Sequence, residues 1–182
     1  MTNVVNNRLS TLTTFAPLGN SENKNIYLPE KYHDLIKGIY DSFPLKRESS
    51  LKTMQKNLIA KNGTINSSMH MKLNIAFIKV IEYGENTFDE IISKWKYYKL
   101  ERAHSIYLHL NLEDEHTPHI SAKANEIGFI YSGIIPYHLN GKDTLILQYT
   151  NMRIDFDEIK LFQDESKKIL NFIKKEYEET YF

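Results

Sequence analysis

The sequence predicts a single α/β domain in which helices cover the faces of a mixed β-sheet. Two observations lead to this fold class. Strand-like segments come first and are followed by strands that alternate with helices, an order typical of a mixed sheet flanked by helices. The chain has 182 residues, of which 41% are hydrophobic, so one domain with a sizeable core is the simplest organisation.

The N-terminal third contains one clear helix between two less regular segments. The polar, Asn-rich residues 1–25 are expected to be extended or partly disordered. The stretch LPEKYHDLIKGIYDSF places its apolar residues on one helical face, and Pro29 suits the first turn. After Pro44, the stretch ESSLKTMQKNLI is compatible with a helix or a strand: Leu51, Met54 and Leu58 have helical spacing, but its end could already be strand.

The middle of the chain predicts a hairpin turn, a central strand and a helix. Asn62-Gly63 suits a tight turn because both residues tolerate positive φ. The apolar stretch MKLNIAFIKVI shows little polar alternation, which indicates a strand buried on both faces. Thr87 and Glu90 have the spacing of a capping box at the start of the following helix.

The last part of the chain predicts strand, helix, two strands and a final helix. SIYLHLNL alternates strictly, Thr117-Pro118 suits a helix start and Gly128 its end, and Asn140-Gly141 is expected to join two strands. An amphipathic helix is predicted from about Asp164 to Tyr177. We therefore divide the chain into an irregular segment (1–25), the main domain (26–150) and a C-terminal helix packed on that domain (151–182).

Composition excludes several classes of function. Lys+Arg and Asp+Glu each number 23, so there is no basic excess to indicate nucleic-acid binding. The absence of cysteine excludes disulfides, thiolate catalysis and Cys-based zinc sites. The N-terminal residues lack a secretory pattern, and no apolar stretch approaches the ~20 residues that cross a bilayer. The sequence therefore predicts a cytoplasmic protein with no membrane or nucleic-acid partner.

The stretch ISAKANEIGFIYSGIIPY resembles the late helix, the Gly-Phe helix end and the next strand of the GNAT acyltransferases. The order of elements from about Tyr27 to Thr150 is similar to the same fold, with the terminal helix as an addition. The tail GIIPYHLNGKDTLILQYTN also resembles GNAT-like domains, some of which are attached to anti-sigma-type ATPase modules. The resemblance implies acyl transfer from acetyl-CoA to an amine, carried by a small molecule or a peptide.

The resemblance also implies where the cofactor would bind. In this family the pyrophosphate sits on backbone N–H groups at a helix N-terminus after the central strand, where the helix dipole favours an anion. The corresponding stretch is VIEYGENTF, which makes Gly84, Asn86 and Thr87 the candidate cofactor-binding residues. Glu82 and Glu85 bring negative charge close to that place, so a plain strand-to-helix turn is the alternative.

The catalytic residues are less well matched. The family's frequent general acid is a tyrosine four residues before the Gly of Gly-Phe, and this chain has Ala124 there. Tyr131 is the candidate substitute, and Glu82 is the candidate general base by position. The alternative function is a non-catalytic, GNAT-shaped module that binds a ligand or a regulatory protein; a homodimer through exposed sheet edges is also open.

Two further groups of polar residues have competing interpretations. LEDEHTPH contains His116 and His119 among acidic residues, but Thr117-Pro118 makes a shared helical turn improbable and no metal site is predicted. His109 and Asn111 share a strand face with Tyr107, and that face either lines a substrate groove or packs under a helix with its polar atoms satisfied.

Overall fold

The computed structural model describes residues 22–50 and 60–182. The described residues form seven strands: β1 Lys24–Tyr27, β2 Arg47–Ser50, β3 Thr64–His70, β4 Ile75–Glu82, β5 Ser105–Asn111, β6 Ile130–Leu139 and β7 Lys142–Thr150. They also form four α-helices: α1 His33–Asp41, α2 Thr87–Leu100, α3 Thr117–Glu126 and α4 Asp164–Tyr181. Short 3-10 turns occupy Glu30–Tyr32 and Phe156–Glu158. Among the described residues, no helix has the length and apolar character needed to cross a bilayer.

Five strands make one mixed sheet in the order β3-β4-β5-β7-β6, and β1 pairs with β2 in a separate two-stranded sheet. Within the larger sheet β4 and β5 are parallel, and the other neighbouring pairs are antiparallel. The predicted fold class is confirmed: a mixed, mostly antiparallel sheet, flanked by helices and followed by a C-terminal helix.

One face of the sheet forms the core with the helices. The strand register aligns Ile78, Leu108, Leu147 and Tyr131 in one row across β4, β5, β7 and β6, and all four are fully buried. Helical segments pack on this face: the Tyr131 ring lies 5.4 Å from that of Tyr32, in the turn before α1, and 5.9 Å from that of Phe172 in α4. The alternating positions of the same strands point to the opposite face, called here the second face.

The C-terminal helix is attached to the free edge of β6 by one buried carboxylate. Glu176 of α4 accepts hydrogen bonds from the Tyr131 backbone N–H at 2.8 Å and from the Tyr32 hydroxyl at 2.6 Å. Its Oε1 also pairs with Lys31 Nζ at 2.8 Å. Because these donors come from β6 and the start of the first helical segment, Glu176 holds three parts of the chain together and covers a strand edge.

A second buried carboxylate anchors the hairpin between β6 and β7. Asp143 accepts from Arg47 Nε at 2.6 Å, from the Tyr40 hydroxyl at 2.8 Å and from the Tyr137 N–H at 3.1 Å. These contacts attach β2 and α1 to the hairpin. The turn at Asn140-Gly141 is as predicted, with φ of 52° and 75° at the two residues.

Several predictions of detail were wrong or too short. The capping box is wrong, because Asn86 precedes α2 with no side-chain capping bond and the Thr87 hydroxyl accepts from Gly84 N–H instead. The central strand begins at Ile75, since residues 71–74 form a turn, and α4 extends to Tyr181. Strands β1 and β2 were not predicted. The predictions for residues 1–21 and for the segment around Leu51, Met54 and Leu58 lie outside the described residues.

Candidate functional site

The turn from β4 into α2 carries the residues predicted to bind a cofactor, and its backbone donors bind within the protein. Gly84 N–H donates to Thr87 Oγ1 at 2.7 Å, and Glu85 N–H donates to the Ala60 carbonyl at 2.9 Å. Thr87 N–H closes the turn on the Gly84 carbonyl at 3.0 Å. These three amides would have to give up a partner before they could hold a phosphate.

A second stretch of backbone covers this turn. A Cβ placed on Gly84 would overlap the Gly63 nitrogen, and a Cβ placed on Gly63 would lie 2.5 Å from Thr87 Oγ1. Gly63 N–H donates to Asn86 Oδ1 at 2.7 Å. Two glycines therefore permit direct backbone packing. Asn62-Gly63 covers this turn and does not form the predicted hairpin turn, since the hairpin between β3 and β4 turns at residues 71–74. We call residues 82–87 with their cover the closed turn.

The fork between β4 and β5 is bridged by a tyrosine. The ladder between these parallel strands ends at Lys79 and His109, although both strands continue beyond it. Across the diverging ends, the Tyr83 hydroxyl lies 2.6 Å from Thr117 Oγ1, which in turn donates to the Asn111 carbonyl. Burial raises the pKa of Tyr83, so its hydroxyl stays protonated. The bridge joins the end of β4 to the start of α3.

These residues do not fit acetyl-CoA. The phosphates of the cofactor would need backbone amides of the closed turn that already have acceptors within the protein. The acyl-carrying arm of the cofactor would meet the Tyr83 ring if it entered the fork. The exposed carboxylates of Glu82 and Glu85 add like charge near an anion. Glu82 Oε2 accepts from Thr64 Oγ1 at 2.9 Å at the rim of the turn. The cofactor role of Gly84, Asn86 and Thr87 stays a prediction, as does the role of Glu82 as base.

Tyr131, the candidate acid, lies inside the core, and the structure does not bring it together with the closed turn. It is fully buried, and its ring contacts Tyr32 and Phe172, with centroids 5.4 and 5.9 Å away. The hydroxyl has no hydrogen-bond partner among the described residues. Burial, with a contribution from the charge of Glu176, raises the pKa of Tyr131. Its catalytic role stays a prediction: Tyr131 is among the residues that line the cavity described next, although its side chain has no exposed surface.

A cavity of about 930 Å³ lies between α1, β6 and the first turns of α4. Its walls are mainly aliphatic and aromatic, and include Leu35, Ile39, Phe43, Ile134, Ile135 and Ile169. It reaches Tyr107 and Ile146 on the second face, and Asp34, Glu165 and Lys168 also line it. A concave, mostly apolar space with a few polar groups is the usual form of a small-molecule site. The sequence did not reveal it, because the α1 residues that line it fit an ordinary buried stripe.

Beside this cavity, the second face carries a polar row. The register aligns Asn66, Lys79, His109 and Ile146 across four strands. His109 is 5% exposed, its Nδ1 has no partner among the described residues, and its ring lies 5.2 Å from that of His138. Burial lowers the pKa of His109 to about 4, with further contributions from His138 and Lys79. The interpretation that this face packs with its polar atoms satisfied does not hold for His109, because its Nδ1 has no partner among the described residues.

The acidic stretch near His116 forms a local turn. Asp114 Oδ1 accepts from His116 N–H at 2.9 Å and lies 2.8 Å from His116 Nδ1. The His116 ring stacks on Tyr83 with a centroid distance of 6.0 Å. In residues 22–50 and 60–182, no group of three or more metal-ligating side chains is close enough to hold an ion.

The fold and these sites together define an α/β domain that has a closed turn after β4 and an open cavity between α1, β6 and α4. No family model matches the sequence, and no curated protein matches it. Solved structures of GNAT proteins do match the fold, at low identity and over part of the chain.

The dodecameric spermidine N-acetyltransferase of Vibrio cholerae matches with 22% identity and a TM-score of 0.38, over 53% of this chain and 59% of that one. The NatC complex bound to Gag peptide and CoA matches with 16% identity and a TM-score of 0.39, over 57% and 68%. The N-terminal domain of ribosomal-protein-alanine acetyltransferase from Clostridium acetobutylicum has 19% identity and a TM-score of 0.34, over 49% and 73%. Each of these structures is similar to only part of this chain's fold.

Proposed function

We propose that this chain is a GNAT-shaped binding module whose ligand occupies the cavity between α1, β6 and α4. The observation that carries the proposal is the Tyr83 bridge. The phenol, Thr117 and the Asn111 carbonyl fill the fork between β4 and β5, and Asn62-Gly63 covers the adjoining turn. Among the described residues, the cavity between α1, β6 and α4 offers open space away from this fork.

The lining of the cavity supports a ligand with an apolar body. Leu35, Ile39 and Phe43 contribute one wall from α1, and Ile134 and Ile135 contribute another from β6. Burying an apolar ligand against such walls is favourable by about 25 cal/mol per Å² removed from water, before the costs of association. A regulatory protein partner or a homodimer stays a prediction, as does a cytoplasmic location.

Gly38 offers a direct test of the cavity. It lines the cavity, and a Cβ added there would meet nothing within 4 Å, so Gly38→Leu places a side chain in the open space. We expect the neutral fluorescent probe N-phenyl-1-naphthylamine to bind the native protein saturably, and Gly38→Leu to weaken binding at least tenfold. Lys37→Leu, an exposed neighbour on the same helix that does not line the cavity, is the matched control and should bind as the unaltered protein does. Absence of saturable binding, or equal binding by Gly38→Leu, would sink the proposal.

The second candidate is acyl transfer from acetyl-CoA to a small-molecule or peptide amine. The observation that favours it is the divergence of β4 and β5 beyond Lys79 and His109, which leaves backbone groups of β4 without a ladder partner on that side. Glu82, exposed at the end of β4, would be the candidate base. Acyl transfer is the second candidate because the amides of the closed turn are already bonded and the Tyr83 bridge spans the fork.

Thermal unfolding with millimolar acetyl-CoA or CoA separates the two. A ligand that binds the folded state raises the melting temperature by mass action, by an amount that grows with concentration relative to Kd. The binding-module proposal predicts no shift with either compound. A reproducible shift of several degrees, followed by release of CoA in the presence of amines, would establish the second candidate instead.

A further inference from the structure

The second face of the sheet carries a cationic, hydrogen-bonding cluster that the proposed function does not use. We propose that Lys79, His109 and His138 bind an anionic group, a carboxylate or a phosphate, on this face beside the cavity. Lys79 of β4 and His109 of β5 are paired directly across the sheet, and the ring of His138 from β6 lies 5.2 Å from that of His109.

Lys79 brings a positive charge that has no ion-pair partner within residues 22–50 and 60–182. It is half-buried in the middle of β4, and none of the ion pairs among the described residues involves it. Its cross-strand neighbours on the second face are Asn66 and His109, both uncharged at neutral pH. Partly buried lysines usually have an acidic partner or extend their ammonium group into water. An external anion would supply the missing partner.

His109 supplies the second, independent observation. Its side chain is more than nine-tenths buried, yet Nδ1 has no hydrogen-bond partner within residues 22–50 and 60–182. Buried polar atoms are nearly always paired, so an orphaned imidazole nitrogen next to an unpaired lysine marks an incomplete site. His138, exposed at the rim with its ring 5.2 Å from that of His109, adds another donor.

The charge of the cluster selects the class of ligand. The groups that face one another here are Lys79, His109 and His138, with the Asn66 amide opposite Lys79. A metal cation would be repelled by Lys79. An anion would accept charge-assisted hydrogen bonds from the ammonium group and from imidazole N–H groups.

The position of the cluster links it to the cavity. Tyr107 and Ile146 line the cavity, and on the second face they are, respectively, two residues along β5 from His109 and directly opposite it on β7. A ligand with an apolar body in the cavity would therefore carry its anionic group toward Lys79. This link rests on the proposed function, whereas the anion site itself does not.

Histidine-ring NMR with inorganic phosphate tests the site. At pH 6.5 and constant ionic strength, phosphate should shift the ring resonances of His109 and His138 saturably. Lys79→Met, which removes the charge and keeps an unbranched side chain of similar length, should weaken binding at least tenfold. Lys72→Met, at an exposed position in the turn between β3 and β4, should leave it unchanged.

His138→Gln provides a second variant at an exposed position in case Lys79→Met does not fold, and it should weaken phosphate binding severalfold. The proposal is overturned if the unaltered protein shows no saturable shift, if chloride produces the same shift, or if the folded variants bind phosphate as tightly as the unaltered protein. N-phenyl-1-naphthylamine carries no negative charge, so loss of phosphate binding with retained probe binding would reject the anion site and leave the cavity in place.

Discussion

The closed turn differs from the cavity side of the molecule, by which we mean the cavity and the adjoining second face of the sheet, in how its polar groups are paired. In the closed turn, the amides of Gly63, Gly84 and Glu85 all have acceptors within the protein. On the cavity side, Lys79 has no ion-pair partner among the described residues, and His109 keeps an orphaned nitrogen. Satisfied polar groups stabilise a fold, whereas unsatisfied ones beside open space indicate a ligand. The comparison therefore directs attention away from the turn that the sequence resemblance singled out.

The largest expected effect concerns the cavity side, where Glu176 holds α4 against β6. Glu176→Ala leaves the Tyr32 hydroxyl and the Tyr131 N–H without their acceptor and Lys31 without its counter-charge. We expect a loss of about 2–5 kcal/mol in the free energy of unfolding, because two buried donors lose their acceptor at about 1–3 kcal/mol each. Urea unfolding measures it, and Glu178→Ala, exposed on the same helix, is the control. If Glu176→Ala lowered the free energy of unfolding no more than Glu178→Ala does, within experimental error, α4 would be held by packing alone.

The next effect uses pH to probe the second face. The pKa of His109 is about 4 in the folded protein and has an ordinary value of 6.5 when unfolded, so the unfolded chain binds a proton first. Stability from this residue is therefore complete above about pH 6.5 and is lost as pH falls toward 4, by about 2–3 kcal/mol. Urea unfolding between pH 7 and pH 4 should show this slope, and His109→Gln should reduce it. Equal slopes for both proteins would contradict a buried neutral His109.

Two glycines give opposite expectations for the two regions. Gly84→Ala adds a Cβ that would overlap the Gly63 backbone, so we expect a loss of about 1–3 kcal/mol from overpacking. Gly38→Ala, on the cavity side, adds a Cβ to open space within α1 and should stabilise by about 0.5–1 kcal/mol. Chemical denaturation of both variants measures the difference. If both changes had the same sign, the distinction between a packed turn and an open cavity would fail.

The smallest effect tests the bridge across the fork. Tyr83→Phe removes one hydroxyl from the chain of hydrogen bonds to Thr117 and Asn111, and should cost about 1 kcal/mol. The ring itself remains in the fork, so this variant should still show no thermal shift with acetyl-CoA. If Tyr83→Phe gained a shift that the unaltered protein lacks, the hydroxyl bridge, and not the filled space, would be what excludes the cofactor.

Patterns within single elements were well predicted. The alternation of SIYLHLNL became β5, and the Asn140-Gly141 turn joined β6 to β7 as expected. Gly128 lies two residues after the end of α3 and has a φ of 95°, a conformation that suits glycine after a helix. In each case the deciding interactions are local: periodic burial, or a backbone conformation that suits particular residues. The capping box was wrong because local spacing did not decide this contact. The Thr87 hydroxyl accepts from Gly84 N–H, in a turn that also bonds to the distant residue Gly63.

The sequence by itself determined the fold class, the order of the later strands and helices, and the absence of any cysteine chemistry. The tertiary structure alone decided where space and unsatisfied groups lie. Gly63 and Gly84 are 21 positions apart in the chain yet close the same turn, and Glu176 meets Tyr32 across 144 residues. Local patterns encode periodicity and turns, but packing between distant segments determines which amides are already bound and which side chains are left for a ligand.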